Sequence, residues 1–308
     1  MRRFLSSQYF VLWVSLLYAA VMAPFTPAFL SPENALNILS SMLPLLIVAA
    51  GQTIILITGG IDLSVTSVIA LASVLGAMTM TSTSGNVVTG IAVMLAAGAL
   101  VGLINGIGMS AGRMPPFMVT LATMMFFGGF AVWITKSKNV GGLPRNFNAI
   151  GDSLPAVALI AIAIIAVLHF VLSRTTAGRW LYATGRNPRT ALVSGVPVRL
   201  TTTAAYVVSG LLAAVASVIY TGRLETGSPV LGQRILLDVI AAVVIGGCSL
   251  FGGRGTVLWT VLGVLFITLV DNTLNLTGVS NFAVLIAKGG VILMAALLDT
   301  VRTRYATH

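Results

Sequence analysis

Charged and amide side chains set inside long apolar runs are the residues of this 308-residue chain that most need a chemical explanation. An ionisable group at membrane depth is expensive, so each requires a partner or a task. Asp62 follows Gly59-Gly60 in the stretch Thr-Gly-Gly-Ile-Asp-Leu-Ser-Val-Thr-Ser. There, Asp62 or Ser64 suits the cap of the following helix, and the competing reading is a helix N-terminus aimed at a permeation path. Asp271 and Lys288 fall on consecutive apolar runs, both roughly 8–9 Å below one interface at the helical rise of 1.5 Å per residue. That placement predicts a buried ion pair whose role is neutralisation rather than proton relay, since a lone pair forms no relay chain. On this pairing, Asp271→Ala impairs assembly unless Lys288 is neutralised too. Gln52, Asn105, Asn272 and Asn275 offer hydrogen bonds without fixed charge, which suits a neutral hydroxylated cargo on a translocation path. The competing role for each is a hydrogen bond between helices. Asn272 and Asn275, three apart, share a helix face.

Catalytic and metal chemistry find little support. A single cysteine, Cys248, excludes a disulfide framework, a thiolate zinc site and an iron–sulfur cluster, and two histidines, His169 and His308, make no histidine-rich metal site. No G-x-x-x-x-G-K-[ST] phosphate loop occurs, so any ATP-driven task requires another chain to bind the nucleotide. An integral-membrane enzyme needs converging nucleophile, base or metal ligands that the sequence does not offer.

The elements that position these residues are membrane helices. Hydrophobic residues make up 57% of the chain and charged residues only 8%, against about 25% charged in a soluble domain. That balance excludes a cytosolic enzyme or nucleic-acid binder and predicts an all-α, polytopic membrane helix bundle. Runs near 8–30, 36–58, 62–82, 87–111, 115–135, 154–172, 202–221, 236–250, 256–276 and 282–299 give about ten crossings in a single domain, 1–308. The eighth is short enough to be tilted, broken or re-entrant, and Gly59-Gly60 leaves little polar chain between the second and third. With both termini cytoplasmic, eleven of the seventeen basic residues lie inside and five outside, with Lys288 in a span. The formal charge of +10 therefore reads as topology and anionic lipid before nucleic acid. The N-terminal apolar run reads as a retained first helix, being longer than a signal-peptide core and lacking an A-x-A cleavage site. Glycines spaced by four, Gly102/Gly106 and Gly108/Gly112, read as helix packing inside the subunit. Gln52–Leu71 and Val239–Trp259 share a weak echo: apolar helix, Gly-Gly-x-x-Leu, small-residue turn, apolar helix.

The largest cytoplasmic segment, 173–201, is too polar to span. Asn187 followed by Pro188 opens a short helix over Arg189–Ser194, and Gly195 and Pro197 end it. An arginine-flanked helix of this kind suits the docking of another protein, the alternative being a basic loop held on anionic lipid.

Four blocks carry a family resemblance: G-G-I-D-L-S-V-x-S at 59–67, T-x-x-G-R-x-x-Y-A-x-G at 175–185 running on to Asn187 and Ser194-Gly195-Val196, L-D-V-I-A-A-V-V-I-G-G-x-S-L-F-G-G-R-G-T at 237–256, and L-N-L-x-G-V-S at 274–280. In that order and over about three quarters of the chain, they resemble permease subunits of the ribose/xylose/galactoside group of bacterial ABC importers. The resemblance implies a multi-pass inner-membrane permease that dimerises with a second permease subunit. It further implies an ABC ATPase subunit below, which binds the ATP, a periplasmic solute-binding protein above, and no cofactor on this chain. It implies that Gly178, Arg179, Tyr182, Asn187, Ser194 and Gly195 belong to the segment that couples to the ATPase. The cargo it implies is a neutral monosaccharide or related polyol, or an autoinducer-2-type molecule. Thr66 stands where the family commonly has glycine, and Arg186 and Arg189-Thr190 replace small residues in the coupling segment, which suits one half of a heterodimer. The reading outside this class is a secondary transporter coupled to protons or sodium through Asp62, Asp238 or Asp271–Lys288.

Overall fold

A computed structural model describes residues 10–83 and 85–279, together with Ala283, Ile286, Lys288, Gly289, Gly290 and Leu293. Helices make up the regular structure among these residues, and the only β-type pairing is an isolated bridge between Val140 and Gly227. In chain order they are α1 (Phe10–Met22), α2 (Pro32–Ile57), α3 (Val65–Thr81), α4 (Val87–Ser110), α5 (Pro116–Thr135), α6 (Arg145–Asp152), α7 (Leu154–Arg174), α8 (Thr176–Arg186), α9 (Pro188–Val193), α10 (Val198–Arg223), α11 (Ile235–Ile245) and α12 (Val257–Leu276). Six of them, α2, α4, α5, α7, α10 and α12, are long and apolar enough to cross a membrane. The shorter apolar helices α1, α3 and α11 coincide with three further expected runs. The tenth run, 282–299, lies for the most part outside the described residues.

Two runs end early: the first, expected over 8–30, is α-helical only over Phe10–Met22 with a 3-10 turn at Ala23–Phe25, and the other is the eighth, expected over 236–250. Its helix, α11, stops at Ile245, giving 11 residues, about 16 Å of rise against ~30 Å of hydrocarbon. Gly246 caps the end, and Gly247 takes φ 97°, a conformation that β-carbon sterics close to most residues. The chain then loops through 246–256 before Thr256 caps α12 by accepting from the Trp259 amide at 3.2 Å.

α2 and α10 form the centre. Of the most apolar stretch of α2, 78% is buried, against 17% for α5 at the rim. α2 packs on α7, α10, α11 and α12, and α10 packs on α2, α3, α4 and α6. The α4–α10 crossing depends on small residues: a β-carbon on Gly98 would strike the Gly210 carbonyl, one on Gly102 the Tyr206 carbonyl, and one on Gly106 the Thr203 backbone. With backbone against backbone, neither helix can give way by rotating a side chain. The reading of Gly102/Gly106 as packing within the subunit fits this contact.

Pro44 interrupts α2 from inside, and its missing N–H frees the carbonyl of Ser40 four residues earlier. Arg223, at the end of α10, donates to that carbonyl at 3.2 Å. A helix defect that apolar surroundings would penalise is thus satisfied from the neighbouring helix.

Gly102→Ala is expected to lower the thermal stability of the detergent-solubilised chain by about 1–3 kcal/mol, because the helices must separate. Gly129→Ala on α5, where an added β-carbon meets nothing within 4 Å, serves as the control and should leave the melt unchanged or raise it.

Candidate functional site

The loop from Thr58 to Ser64, between α2 and α3, exposes Gly59 but buries Gly60, Asp62 and Ser64, so the buried part of its polar backbone must find partners inside the protein. The Gln52 side chain spans both backbone groups of Asp62: its amide nitrogen donates to the Asp62 carbonyl at 3.1 Å and its oxygen accepts from the Asp62 N–H at 3.2 Å. Thr120 on α5 donates to the Ile61 carbonyl at 3.1 Å. The Asp62 carboxylate accepts from the Ser64 N–H at 2.9 Å and hydroxyl at 2.6 Å through Oδ1, and from the Ser209 hydroxyl on α10 at 2.9 Å through Oδ2. Asn105 on α4 donates to the Ser64 oxygen at 2.7 Å and accepts from Thr123 on α5 at 2.7 Å. Gln52, Asp62 and Asn105 are at most 1% exposed.

Three of the five residues read from the sequence as pathway candidates therefore meet in one hydrogen-bonded cluster. Asp62 or Ser64 was expected to cap α3, but the Asp62 carboxylate holds the Ser64 amide within the loop, and α3, which starts at Val65, has no side-chain cap. Ser209, Thr120 and Thr123 complete the cluster. The sequence carried no signal for them, because a hydroxyl in a small-residue helix is indistinguishable from ordinary packing until its neighbour is known.

A second centre lies where α8 and α9 meet the bundle. Thr175 caps α8 by accepting from the Gly178 N–H at 3.3 Å, and Asn187 caps α9 by accepting from the N–H groups of Arg189 and Thr190, both at 3.0 Å. The short helix at 188 is as the sequence predicts, and α8 before it is an addition. Gly185, near the end of α8, lies so close to α2 and to loop 246–256 that a β-carbon there would strike the Ile57 carbonyl. The same carbonyl accepts from the Gly253 N–H at 2.9 Å, and the Tyr182 hydroxyl donates to the Gly255 carbonyl at 2.7 Å. Burial, reinforced by the nearby Cys248 thiol, raises the pKa of Tyr182, so the phenol stays protonated and donating. The two Gly-Gly loops of the weak sequence echo thus join each other beneath α8. Of the six residues read as coupling residues, Gly178 and Tyr182 turn inward, while Arg179, Asn187, Ser194 and Gly195 are exposed. Around them Leu192 is 62% and Val193 85% exposed, an apolar tip with arginines beside it.

At the other end of α2 lies a cavity of about 260 Å³ between α2, α10, α11 and α12. Lys288 Nζ stands 2.7 Å from Asp238 Oδ1 and 2.8 Å from Asp271 Oδ1. The ion pair read from the sequence is thus a triad. Asp238 was legible as a carboxylate in an apolar run, but nothing in the spacing tied it to Lys288. Asn272 lines the cavity and is fixed by a reciprocal amide pair with Asn34, at 2.9 and 2.7 Å, whereas Asn275 is exposed at the same cavity. No group of three or more metal-ligating side chains occurs among the described residues.

Comparison with known proteins gives this bundle its class. The chain belongs to the family described as branched-chain amino acid transport system / permease component, whose model matches residues 34–297. It is a multi-pass permease subunit of the bacterial inner membrane and not itself an ATPase. The ribose import permease protein RbsC of Bacillus subtilis is 40% identical to it, over 91% of this chain and 88% of that protein. RbsC of Escherichia coli is 34% identical, over 92% and 91% of the two chains, and the L-arabinose transport system permease protein AraH of Escherichia coli is 35% identical, over 82% and 78%. No solved structure matches.

Asp62→Ala should orphan the Ser64 amide and the Ser209 hydroxyl, at about 1–3 kcal/mol for each buried donor. Asp62→Asn keeps an acceptor for Ser64 and should melt within about 1 kcal/mol of the parent. Denaturation of the two purified variants side by side tests whether hydrogen bonding or charge is what the loop uses. The triad alters the expectation for Asp271: Asp271→Asn leaves Lys288 paired with Asp238 and should be tolerated. The double change Asp238→Asn with Asp271→Asn strands the ammonium, at a cost of about 3–5 kcal/mol read as loss of folded protein in membranes.

Proposed function

We propose that this chain is the membrane-spanning subunit of an ATP-driven importer for a neutral monosaccharide or closely related polyol. The observation that carries this reading is near-full-length similarity to proteins named for the transport of ribose and L-arabinose, at 40% and 35% identity. The soluble domain that hydrolyses ATP belongs to a separate subunit, and a periplasmic binding protein delivers the solute. A second permease subunit completes the pore, and the chain crosses the membrane ten times with both termini in the cytoplasm. The positive-inside distribution of arginines supports this orientation, since it puts α8 and α9 on the cytoplasmic side.

In this mechanism the ATPase docks on α9 and the exposed part of α8. Its closure pushes on a segment tied by Tyr182 and Gly185 to the loops that end α2 and α11. The helices then exchange between outward-open and inward-open arrangements, biased by ATP in the partner subunit. An exposed apolar tip flanked by fixed positive charge suits a cleft with an apolar floor and an acidic rim.

The test is a mild-detergent pull-down of the tagged chain from its native membrane, followed by reconstitution with the proteins recovered. A Walker-type ATPase should co-purify, and uptake of labelled sugar should need ATP but no proton or sodium gradient. Val193→Asp, which places a charge on an exposed side chain without touching the core, should release the ATPase at least tenfold more readily while leaving the chain's own melt unchanged. Uptake that follows an ion gradient in the absence of ATP would replace this reading with secondary transport.

A further inference from the structure

The cavity between α2, α10, α11 and α12 has the composition of a solute site, not of a packing defect. We infer that it binds one neutral, polyhydroxylated solute within a single permease subunit. This inference rests on the sugar-importer reading for the identity of the solute, but its geometry belongs to this chain alone.

Charge is the first argument. Asp238 and Asp271 supply two negative charges, and Lys288 and Arg223 supply two positive ones. Lys288 engages Oδ1 of each carboxylate, and both aspartates line the cavity as acceptors for hydroxyl donors. The site is therefore rich in fixed polar groups without net charge, which gives an ion no electrostatic reason to enter and gives a neutral polyol several places to bond.

The second argument is an unpaired group. Thr268 on α12 lines the cavity, is 5% exposed, and its hydroxyl has no hydrogen-bond partner. A buried hydroxyl left without a partner is a standing penalty that a ligand hydroxyl removes. Nearby groups leave it unserved: Asn272 is committed to Asn34, and Arg223 donates to the Ser40 carbonyl. Leu45, Ile38 and Ile235 supply an apolar wall suited to the C–H face of a sugar ring.

Size and place agree. A volume of about 260 Å³ lies just below the ~300–1,000 Å³ typical of pockets for drug-sized ligands, which suits a single-ring solute. The cavity sits at the N-terminal end of α2 and the C-terminal ends of α10 and α12, away from α8 and α9. In an importer whose ATPase docks on α8–α9, that is the entry side. Each subunit then holds its own solute, and part of the selectivity resides in the permease as well as in the delivering protein.

The experiment is equilibrium binding of labelled D-ribose, D-allose and L-arabinose to the full chain in lipid nanodiscs, with no partner subunit present, and with a sugar acid as the charged comparison. At least one neutral sugar should bind saturably, at one per chain, and the sugar acid should not. Thr268→Val removes a hydroxyl that bonds nothing in the empty protein. It should weaken binding about tenfold, the value of one lost hydrogen bond, while the melt of the unliganded chain stays level or rises. A structural role for Thr268 predicts the opposite pair of results. Asn275→Ala, on an exposed side chain, provides a second variant that cannot fail by misfolding. The inference is overturned if no neutral sugar binds saturably, or if binding is indifferent to both variants. Uptake by the complete reconstituted complex is measured on the same material. ATP-driven sugar uptake without binding at this cavity removes the site and keeps the importer, whereas saturable, Thr268-dependent binding without ATP-driven uptake keeps the site and removes the importer.

Discussion

Backbone that is partly buried but not helical sets the main constraint on this architecture. A helix satisfies its own N–H and C=O groups, but a loop packed against a bundle satisfies only some of them, through short turns such as Gly60 to Ile55 and Ser249 to Arg254, and apolar surroundings supply no water for the rest. Two such loops, 58–64 and 246–256, run between helices in this protein, and one of its polar clusters is arranged around the first. Gln52 serves both backbone groups of Asp62, Thr120 serves Ile61, and the Asp62 carboxylate holds Ser64. The second loop also serves the end of α2, through the Gly253 N–H to the Ile57 carbonyl. Asp62 is costly to bury, and three donors offset that cost: the Ser64 amide and hydroxyl on Oδ1 and the Ser209 hydroxyl on Oδ2.

The same constraint explains why α8 is tied so firmly to the bundle. The Gly255 carbonyl lies in the second loop and receives the Tyr182 hydroxyl from α8, while Gly185 brings the end of α8 against the Ile57 carbonyl. The contacts are made largely by glycine and backbone, so they contain few soft side chains to absorb a displacement. Force applied to the exposed face of α8 and α9 reaches both interrupted elements at once. Arg179, Asn187, Ser194 and Gly195 can face outward because Gly178 and Tyr182 face inward and hold the segment down.

Long apolar runs made the helices legible from the sequence, and the ends of α2, α3, α4, α5 and α12 fall within a few residues of the expected boundaries. Asn187-Pro188 was legible because capping chemistry is local. The premature stop of α11 was legible only as ambiguity, since a run of fifteen apolar residues reads the same whether it continues as helix or turns at a glycine pair. What the sequence concealed is what depends on partners distant along the chain. Asp62 meets Ser209 across 147 positions, and Asn34 meets Asn272 across 238. Lys288 pairs with Asp238, in the first turn of α11, as well as with Asp271, toward the end of α12. No periodicity within either helix encodes that meeting.

α2 connects the two polar centres. Its C-terminal end carries Ile57 into the junction with α8 and loop 246–256, and its N-terminal end carries Asn37 and Ser41 into the cavity beside Asp238 and Asp271. Between the two ends lies Pro44, where one helical hydrogen bond is missing and Arg223 of α10 takes its place at Ser40. A helix bends most readily where its own hydrogen bonding is interrupted, because the angle there is set by an external donor and not by the ladder. Displacement of the C-terminal end of α2 must therefore be resolved at Pro44 or passed on whole to the cavity wall. In either case the bond from Arg223 to Ser40, made by a residue that also lines the cavity, is strained or released in the process. The solute site and the α8 junction are joined by one helix with a single weak point, and the side chain that closes that weak point faces the solute.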